Sequence, residues 1–118
     1  MQITYITKRV KLTEEVQAYV EKRFGTFEKL LGTASKNALC EVELKRSSSQ
    51  KTGDVFYAEA NLDTKGALHR ATAQGETLEA AVDEVKHELQ KELRRAKRKK
   101  ETMERKGGAE VKKRVRGV

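Results

Sequence analysis

The sequence predicts an α+β fold. The predicted domain has two layers and the element order β-α-β-β-β-α, with a four-stranded, mostly antiparallel sheet that carries two helices on one face. Apolar residues recur every three or four positions in two segments, which is typical of helices. In three other segments apolar residues alternate with polar ones, which is typical of half-buried strands. A run rich in β-branched residues, which favour strands, begins the chain. A chain of 118 residues is enough for one domain with a modest core.

The first strand and the first helix are predicted from the N-terminal quarter of the chain. Residues 2–7 (QITYIT) are rich in β-branched and aromatic side chains, which favour a strand. Thr13 is the expected N-cap of a helix that Gly32 should end. Gly25 lies inside this helix and should weaken it. The apolar face of the helix consists of Val16, Val20, Phe24, Phe27 and Leu31.

The next three strands are predicted from alternating patterns. Residues 40–45 should place Cys40 and two other apolar side chains in the core, and residues 46–54 (RSSSQKTGD) read as a polar loop. Residues 55–62 and 67–75 are predicted to form a hairpin around a glycine-containing turn. The inward residues of the last strand are small, which should let a helix pack close to the sheet.

The last helix is predicted to begin after Thr77, a second N-cap. Its apolar stripe thins after Ala96, so we expect the C-terminal part to overhang the domain as a long basic rod. Gly107-Gly108 should end the helix. We therefore predict a domain at residues 1–106 and a basic flexible tail at residues 107–118. The stripe consists of Leu78, Ala81, Val82, Val85, Leu89, Leu93 and Ala96, followed by Met103 alone.

The whole surplus of positive charge lies in the C-terminal part of the chain. Residues 86–118 contain 14 Lys and Arg against 5 Asp and Glu, a net charge of +9, whereas residues 1–85 carry −1. This asymmetry favours a polyanionic partner, with nucleic acid first and an anionic membrane surface second. The apolar face of residues 91–106 is too thin for an interfacial helix, and no stretch is long enough to span a bilayer. With no visible signal peptide either, we expect a cytoplasmic protein with no membrane partner.

The sequence offers little for an active site. Cys40 is the single cysteine, so no internal disulfide can form, and it should be a buried structural thiol. We expect His69 to be packed beside the small residues of its strand and His87 to be solvated. No metal-ligand spacing, phosphate-binding glycine loop or paired carboxylates are found. We predict no enzyme, no cofactor, no metal site and no small-molecule substrate.

The basic residues of the last helix are the predicted RNA-binding site. They wrap charge around the helix, so that phosphates can approach from several sides, and phosphate contacts supply affinity with little sequence information. The alternative is a solvated helix with pairs such as Glu101–Arg105, but the positive residues outnumber their possible partners. The predicted binding residues on this helix are Lys91, Arg94, Arg95, Lys97, Arg98, Lys99 and Lys100.

Two RNA-related families can be compared with these motifs. A double-stranded RNA-binding domain has a basic start to its last helix, whereas residues 76–81 (ETLEAA) are acidic here. The opening MQITYITKRVKLTEEVQAYVEKRF and residues 71–83 (ATAQGETLEAAVD) instead resemble the ribosome hibernation-promoting factor family. This family is also called protein Y or sigma-54 modulation protein. The resemblance covers about residues 1 to 100 and continues through Leu89 and Leu93 into the basic stretch.

The resemblance implies a β-α-β-β-β-α protein that binds the small ribosomal subunit and its 16S-type rRNA. It implies that the protein occupies the cleft for mRNA and tRNA and silences idle ribosomes under stress or in stationary phase. The implied contacts are Arg23, Lys91, Arg95, Lys97 and Lys99. A generic RNA-binding module, like the double-stranded RNA-binding domain, is the alternative function.

The chain also departs from the family pattern. Residues 77–79 (TLE) replace the family's Asp-Met-Tyr, and Glu88 stands where the family has a lysine, which removes one expected phosphate contact. The tail is basic, whereas that of the protein Y type is acidic. No residues remain for the dimerisation domain of the long family form, so we expect the protein to be monomeric off the ribosome.

Overall fold

A four-stranded sheet and a long C-terminal helix form the domain. The computed structural model describes the backbone of residues 1–49 and 53–116 and the side chains of residues 1–48 and 53–103. The strands are β1 (Gln2–Lys8), β2 (Leu39–Ser49), β3 (Gly53–Asp63) and β4 (Leu68–Gly75). The helices are α1 (Glu14–Phe24), α2 (Phe27–Leu31) and α3 (Leu78–Arg116), with a 3-10 helix (Gly32–Asn37) between α2 and β2.

The strand order is β1-β2-β3-β4, and the pairing is mostly antiparallel, as predicted. β1 runs parallel to β2, with Ile3 opposite Cys40, while β2–β3 and β3–β4 are antiparallel. The parallel pair follows from the connection, because α1 and α2 carry the chain back across the sheet before β2 begins. The predicted α+β class and element order are confirmed.

The core lies between one face of the sheet and the helices. Val20, Phe24 and Phe27 from α1 and α2 meet the inward residues of the strands, and the Phe24 and Phe27 rings pack 5.0 Å apart. No polar or charged side chain is buried among the residues described. From α3, the buried residues are Ala81, Val82, Val85, Leu89 and Leu93.

The predicted first helix is split in two. Thr13 is the N-cap as expected, since its hydroxyl accepts a hydrogen bond of 3.1 Å from the backbone N–H of Val16. The prediction of one continuous helix to Gly32 is wrong, because α1 ends at Phe24 and α2 begins at Phe27. Gly25 and Thr26 between them both have low helix propensity, and the Thr26 hydroxyl donates to the Arg23 carbonyl instead.

The predicted polar loop at residues 46–54 is mostly strand. β2 continues to Ser49 and β3 starts at Gly53, with Ser48 opposite Asp54 in the register. The Ser48 hydroxyl donates a hydrogen bond of 2.6 Å to the Asp54 carboxylate across this pair. Backbone pairing does not depend on apolar side chains, so a polar hairpin end can still form a ladder. Residues 50–52 of the predicted loop lie outside the described residues.

α3 packs closely on β3 and β4, as the small inward residues of the last strand predicted. Ala58, Ala60 and Ala71 are buried under the helix. At Gly75 the approach is closer still, because a Cβ atom there would lie 2.8 Å from the backbone nitrogen of Ala81. Thr77 caps α3, as expected, by accepting a hydrogen bond of 3.1 Å from the Ala80 N–H.

α3 overhangs the domain. Leu93 is the last buried residue of α3 among the side chains described, which end at residue 103. Residues 94–116, named the overhang from here on, extend about 35 Å further at 1.5 Å per residue. The prediction that Gly107-Gly108 ends the helix is wrong, since α3 runs to Arg116. A glycine costs about 1 kcal/mol relative to alanine in a helix but keeps its backbone hydrogen bonds. The domain division at residue 106 stays a prediction, and residues 117–118 lie outside the described residues.

Candidate nucleic-acid interface

Four of the predicted RNA-binding residues form one row on the outward face of α3. Lys91, Arg94, Arg95 and Arg98 have the spacing i, i+3, i+4, i+7, which places them on one side of the helix. Together they line a shallow cleft of about 330 Å³. This group is called the cationic row below. Because positive side chains alone line the cleft, it is suited to an anion such as a phosphate group.

Two carboxylates of α3 lie against the cationic row. Glu88 contacts Lys91 at 3.4 Å, and Glu92 contacts Arg95 at 3.7 Å. Arg94 and Arg98 make no ion pair with any side chain described. Exposed ion pairs contribute only about 0–1 kcal/mol each, so Lys91 and Arg95 can exchange a carboxylate for a phosphate at little cost.

Lys97 and Lys100, in contrast, do not belong to the cationic row. They line a groove of about 490 Å³ where α3 leaves the domain, beside the apolar side chains of Leu30, Leu31 and Leu93. Lys99 is exposed and lies one turn beyond Arg95. The predicted residues of α3 therefore face different directions, and four of the seven share one surface.

Arg23, the predicted contact on α1, is held by two residues. Its Nε lies 3.2 Å from Oδ1 of Asp83 on α3, and its guanidinium carbon is 4.8 Å from the centre of the Tyr19 ring. The Tyr19 hydroxyl donates to both carboxylate oxygens of Asp83, each at 2.9 Å. Desolvation raises the pKa of Tyr19, and the hydrogen bond that its hydroxyl donates to the Asp83 carboxylate raises this pKa further. The three side chains connect α1 to α3.

Sequence reasoning missed two contributions to this surface. The three tyrosines do not cluster in the sequence, yet Tyr19 is four residues before Arg23, and its ring lies under the Arg23 guanidinium. Arg70 stands alone in the sequence, far from the basic stretch, but it lies on the edge strand β4 and borders a polar cleft of about 240 Å³ between β4 and α3. Lys91, Arg95, Glu88 and Glu92 also line this cleft. Arg70 also forms an ion pair with Glu59. The i, i+4 spacing of Tyr19 and Arg23 was the one signal in the sequence.

The candidate catalytic residues occupy the environments that the sequence predicted. Cys40 is buried, and burial raises the pKa of its thiol to about 12, so no reactive thiolate forms near neutral pH. The His69 side chain is 11% exposed, with Nδ1 3.9 Å from Glu92, and His87 is exposed. Among the side chains of residues 1–48 and 53–103, no cluster of His, Cys, Asp and Glu could hold a metal ion.

The open face of the sheet differs from the helical side in charge. Its carboxylates are opposed by nearly as many basic residues, with Lys8 3.3 Å from Glu43. Over the described part of the chain, no helix is long and apolar enough to cross a membrane. The ionisable residues of this open face are Lys8, Glu41, Glu43, Lys45, Glu59, Asp63 and Arg70.

Comparisons with known proteins point to ribosome-associated proteins. The family model described as sigma 54 modulation protein / S30EA ribosomal protein matches residues 3–101. The fold is similar to that of the Protein Y N-terminal domain from Thermus thermophilus, with 24% identity, a TM-score of 0.63, and coverage of 80% of this chain and 98% of that one. It is also similar to a ribosomal subunit interface protein from Coxiella burnetii, with 18% identity, a TM-score of 0.63, and coverage of 82% and 98%. No curated protein matches the sequence.

Proposed function

Because the chain belongs to the sigma 54 modulation protein / S30EA ribosomal protein family, we propose that it binds the ribosome and inhibits translation. Its membership confirms the family that the sequence motifs predicted. The proposed partner is the small ribosomal subunit with its 16S-type rRNA, and the proposed site is the cleft for mRNA and tRNA. The result is that idle ribosomes are silenced under stress or in stationary phase. The protein acts in the cytoplasm, where ribosomes are, and is monomeric when it is not bound to them.

The cationic row is the single observation that supports this proposal most. Lys91, Arg94, Arg95 and Arg98 offer a cleft lined by positive charge alone, on the side of α3 that faces away from the core. Such a surface binds phosphates through charge and shape with little dependence on base sequence. A folded rRNA supplies phosphates at fixed positions, so a rigid helix with fixed positive groups is suited to it.

The elongated shape of the molecule also supports binding in the cleft of the small subunit. The protein measures 69 × 31 × 17 Å, and the length comes from the overhang of α3. Arg94 and Arg98 are free to approach RNA because no other element packs over this face among the described residues. We propose that the domain enters the cleft with α3 along the RNA and that the molecule excludes mRNA and tRNA by occupying their space.

Co-sedimentation with small ribosomal subunits tests the binding. The protein should pellet with the subunits at low salt and less at moderate salt, because phosphate contacts are released as salt rises. A protein that stays in the supernatant at both salt concentrations would contradict the proposal. Adding tRNA and mRNA in excess should displace it, whereas displacement by duplex RNA alone would favour the generic RNA-binding module.

A further inference from the structure

We propose that Tyr19 and Asp83 are positioning residues that hold Arg23 as a preformed phosphate-binding group in line with the cationic row. This inference rests on the proposed function, because it concerns the same RNA surface. Neither Tyr19 nor Asp83 carries positive charge, and neither is among the residues that the charge pattern or the family resemblance implies. Their contribution is to fix the direction of the one arginine that α1 supplies.

The contacts constrain Arg23 in two directions. The guanidinium carbon lies over the Tyr19 ring, 4.8 Å from its centre, and Nε lies 3.2 Å from Oδ1 of Asp83, so two different side chains hold the group. Asp83 is itself held, because the Tyr19 hydroxyl donates to both of its oxygens at 2.9 Å. Tyr19 therefore acts on Arg23 twice, once through its ring and once through Asp83.

The contact between Nε of Arg23 and Asp83 leaves other N–H donors of the guanidinium for a ligand. A guanidinium carries five N–H donors, and the Asp83 contact is made from the Nε side. The Arg23 side chain is 43% exposed, so its terminal nitrogens can be reached from solvent. A free arginine loses side-chain entropy when it binds a phosphate, whereas a side chain that is already ordered loses less.

The position of Asp83 on α3 places the Arg23 guanidinium in line with the cationic row. Asp83 precedes Arg94 by 11 residues, which is about three full turns of helix and about 16 Å along its axis. The two positions therefore lie on nearly the same side of α3. Arg23, held at Asp83, extends the line of positive groups formed by Arg94 and Arg98 towards the start of α3. A track of phosphates along α3 would meet all three.

A double-mutant cycle tests the inference with the full-length protein and purified small ribosomal subunits. Tyr19→Phe removes the hydroxyl and keeps the ring, and we expect roughly threefold to tenfold weaker binding. Arg23→Ala should weaken binding and lower the salt slope by roughly 0.7, the value for one phosphate contact. In the Arg23→Ala background, Tyr19→Phe should have no further effect. An equal effect in both backgrounds would overturn the inference, as would no effect of Tyr19→Phe in either.

A matched pair of charge variants separates positioning from general electrostatics. Asp83→Asn and Glu84→Gln each remove one negative charge from the same turn of α3, but Glu84 is exposed and makes no ion pair among the described residues. If Asp83 positions Arg23, Asp83→Asn should bind RNA more weakly than Glu84→Gln. If Asp83 merely competes with phosphate for Arg23, Asp83→Asn should bind more tightly, and the inference is wrong. Failure of the wild-type protein to bind subunits would instead refute the proposed function itself.

Discussion

At the scale of single residues, small side chains set how closely α3 lies on the sheet. Gly75 ends β4 where α3 begins, and a Cβ atom there would meet both Ala80 and Ala81 at less than 3.0 Å. One of these contacts is with backbone, which cannot rotate away. A glycine is therefore required here because there is no room for a side chain. Its φ angle is not positive, so backbone conformation does not require it.

Gly75→Ala should destabilise the fold. The added methyl group forces α3 away from β4, and overpacking of this kind costs about 1–3 kcal/mol. For a domain of this size, the melting temperature should fall by about 4 °C or more. Gly53→Ala gives a useful contrast, because nothing lies within 4 Å of its Cβ position and its cost comes only from a positive φ. An unchanged melting temperature of Gly75→Ala would refute the close approach.

The buried thiol of Cys40 predicts a loss of stability at alkaline pH. The folded protein keeps its thiol proton up to a pKa of about 12, whereas an unfolded chain releases it at about 8.5. Above the unfolded pKa the unfolded state binds fewer protons, so the free energy of unfolding falls as pH rises, by at most about 1.4 kcal/mol per unit. Melting temperatures of the wild type and Cys40→Ala, measured from pH 8 to 10.5, should converge with rising pH. Parallel curves would contradict the burial of the thiol.

At the scale of elements, the sequence predicted those features that depend on neighbouring residues alone, such as the N-caps of the helices. Thr13 and Thr77 were identified as N-caps because capping depends on the next three residues. Gly25 and Gly107 show the limit of such signals: both are glycines in a helical pattern, yet the first lies at a break and the second lies inside α3. At Gly25 the core holds Phe24 and Phe27 together across the break, a tertiary contact that no local pattern contains.

The cationic row and the buried residues lie on different sides of α3, so they should be separable by mutation. Replacing Arg94, Arg95 and Arg98 of the row, together with Lys99 one turn beyond Arg95, with alanine should weaken binding to small subunits. It should also lower the salt slope by about 3, at roughly 0.7 per lost phosphate contact. The melting temperature should hardly change, because all four are exposed and alanine favours a helix.

The matched control removes the same charge elsewhere. Lys11, Lys36, Lys45 and Arg46 are exposed and lie away from α3. Their replacement with alanine lowers the net charge equally, so it should reduce binding far less if position matters. Equal losses for the two quadruple variants would mean that net charge alone determines binding. A large fall in melting temperature of the α3 variant would contradict the separation of core and overhang.

The continuation of α3 beyond Gly107 can be tested by truncation. A chain that ends at residue 106 lacks the ten helical residues 107–116. Its circular dichroism should show a loss of about ten residues of helix. We expect its melting temperature to match that of the full chain, because Leu93 is the last buried residue of α3 among the side chains described. An unchanged helical signal would mean that the glycines do end the helix in solution.

At the scale of the whole molecule, the fold divides the surface by charge. The helical side carries the cationic row, while the open sheet face pairs its acids and bases, as in the contact of Lys8 with Glu43. The excess of +9 in residues 86–118 was visible in the sequence and predicted the partner class. How this charge is divided between the faces of the domain was not visible in the sequence, because it depends on which side of α3 meets the sheet.

Long-range contacts account for the rest of what the sequence did not predict. Tyr19 and Asp83 are 64 residues apart, and their hydrogen bond exists only because α1 and α3 lie on the same face of the sheet. Lys97 and Lys100 were placed with the other basic residues, yet they line the groove beside Leu93, because the helix turns them towards the domain. The sequence shows the charge of each residue, but only the tertiary structure shows which surface its side chain lines.

The most direct test of the central claim is a cryo-electron microscopy map of the protein on the small ribosomal subunit. We expect α3 in the mRNA and tRNA cleft, with Lys91, Arg94, Arg95 and Arg98 facing rRNA phosphates and Arg23 continuing the same line. The open face of the sheet should point away from this contact. A map in which the sheet face meets the RNA, or in which the cationic row faces solvent, would contradict the account.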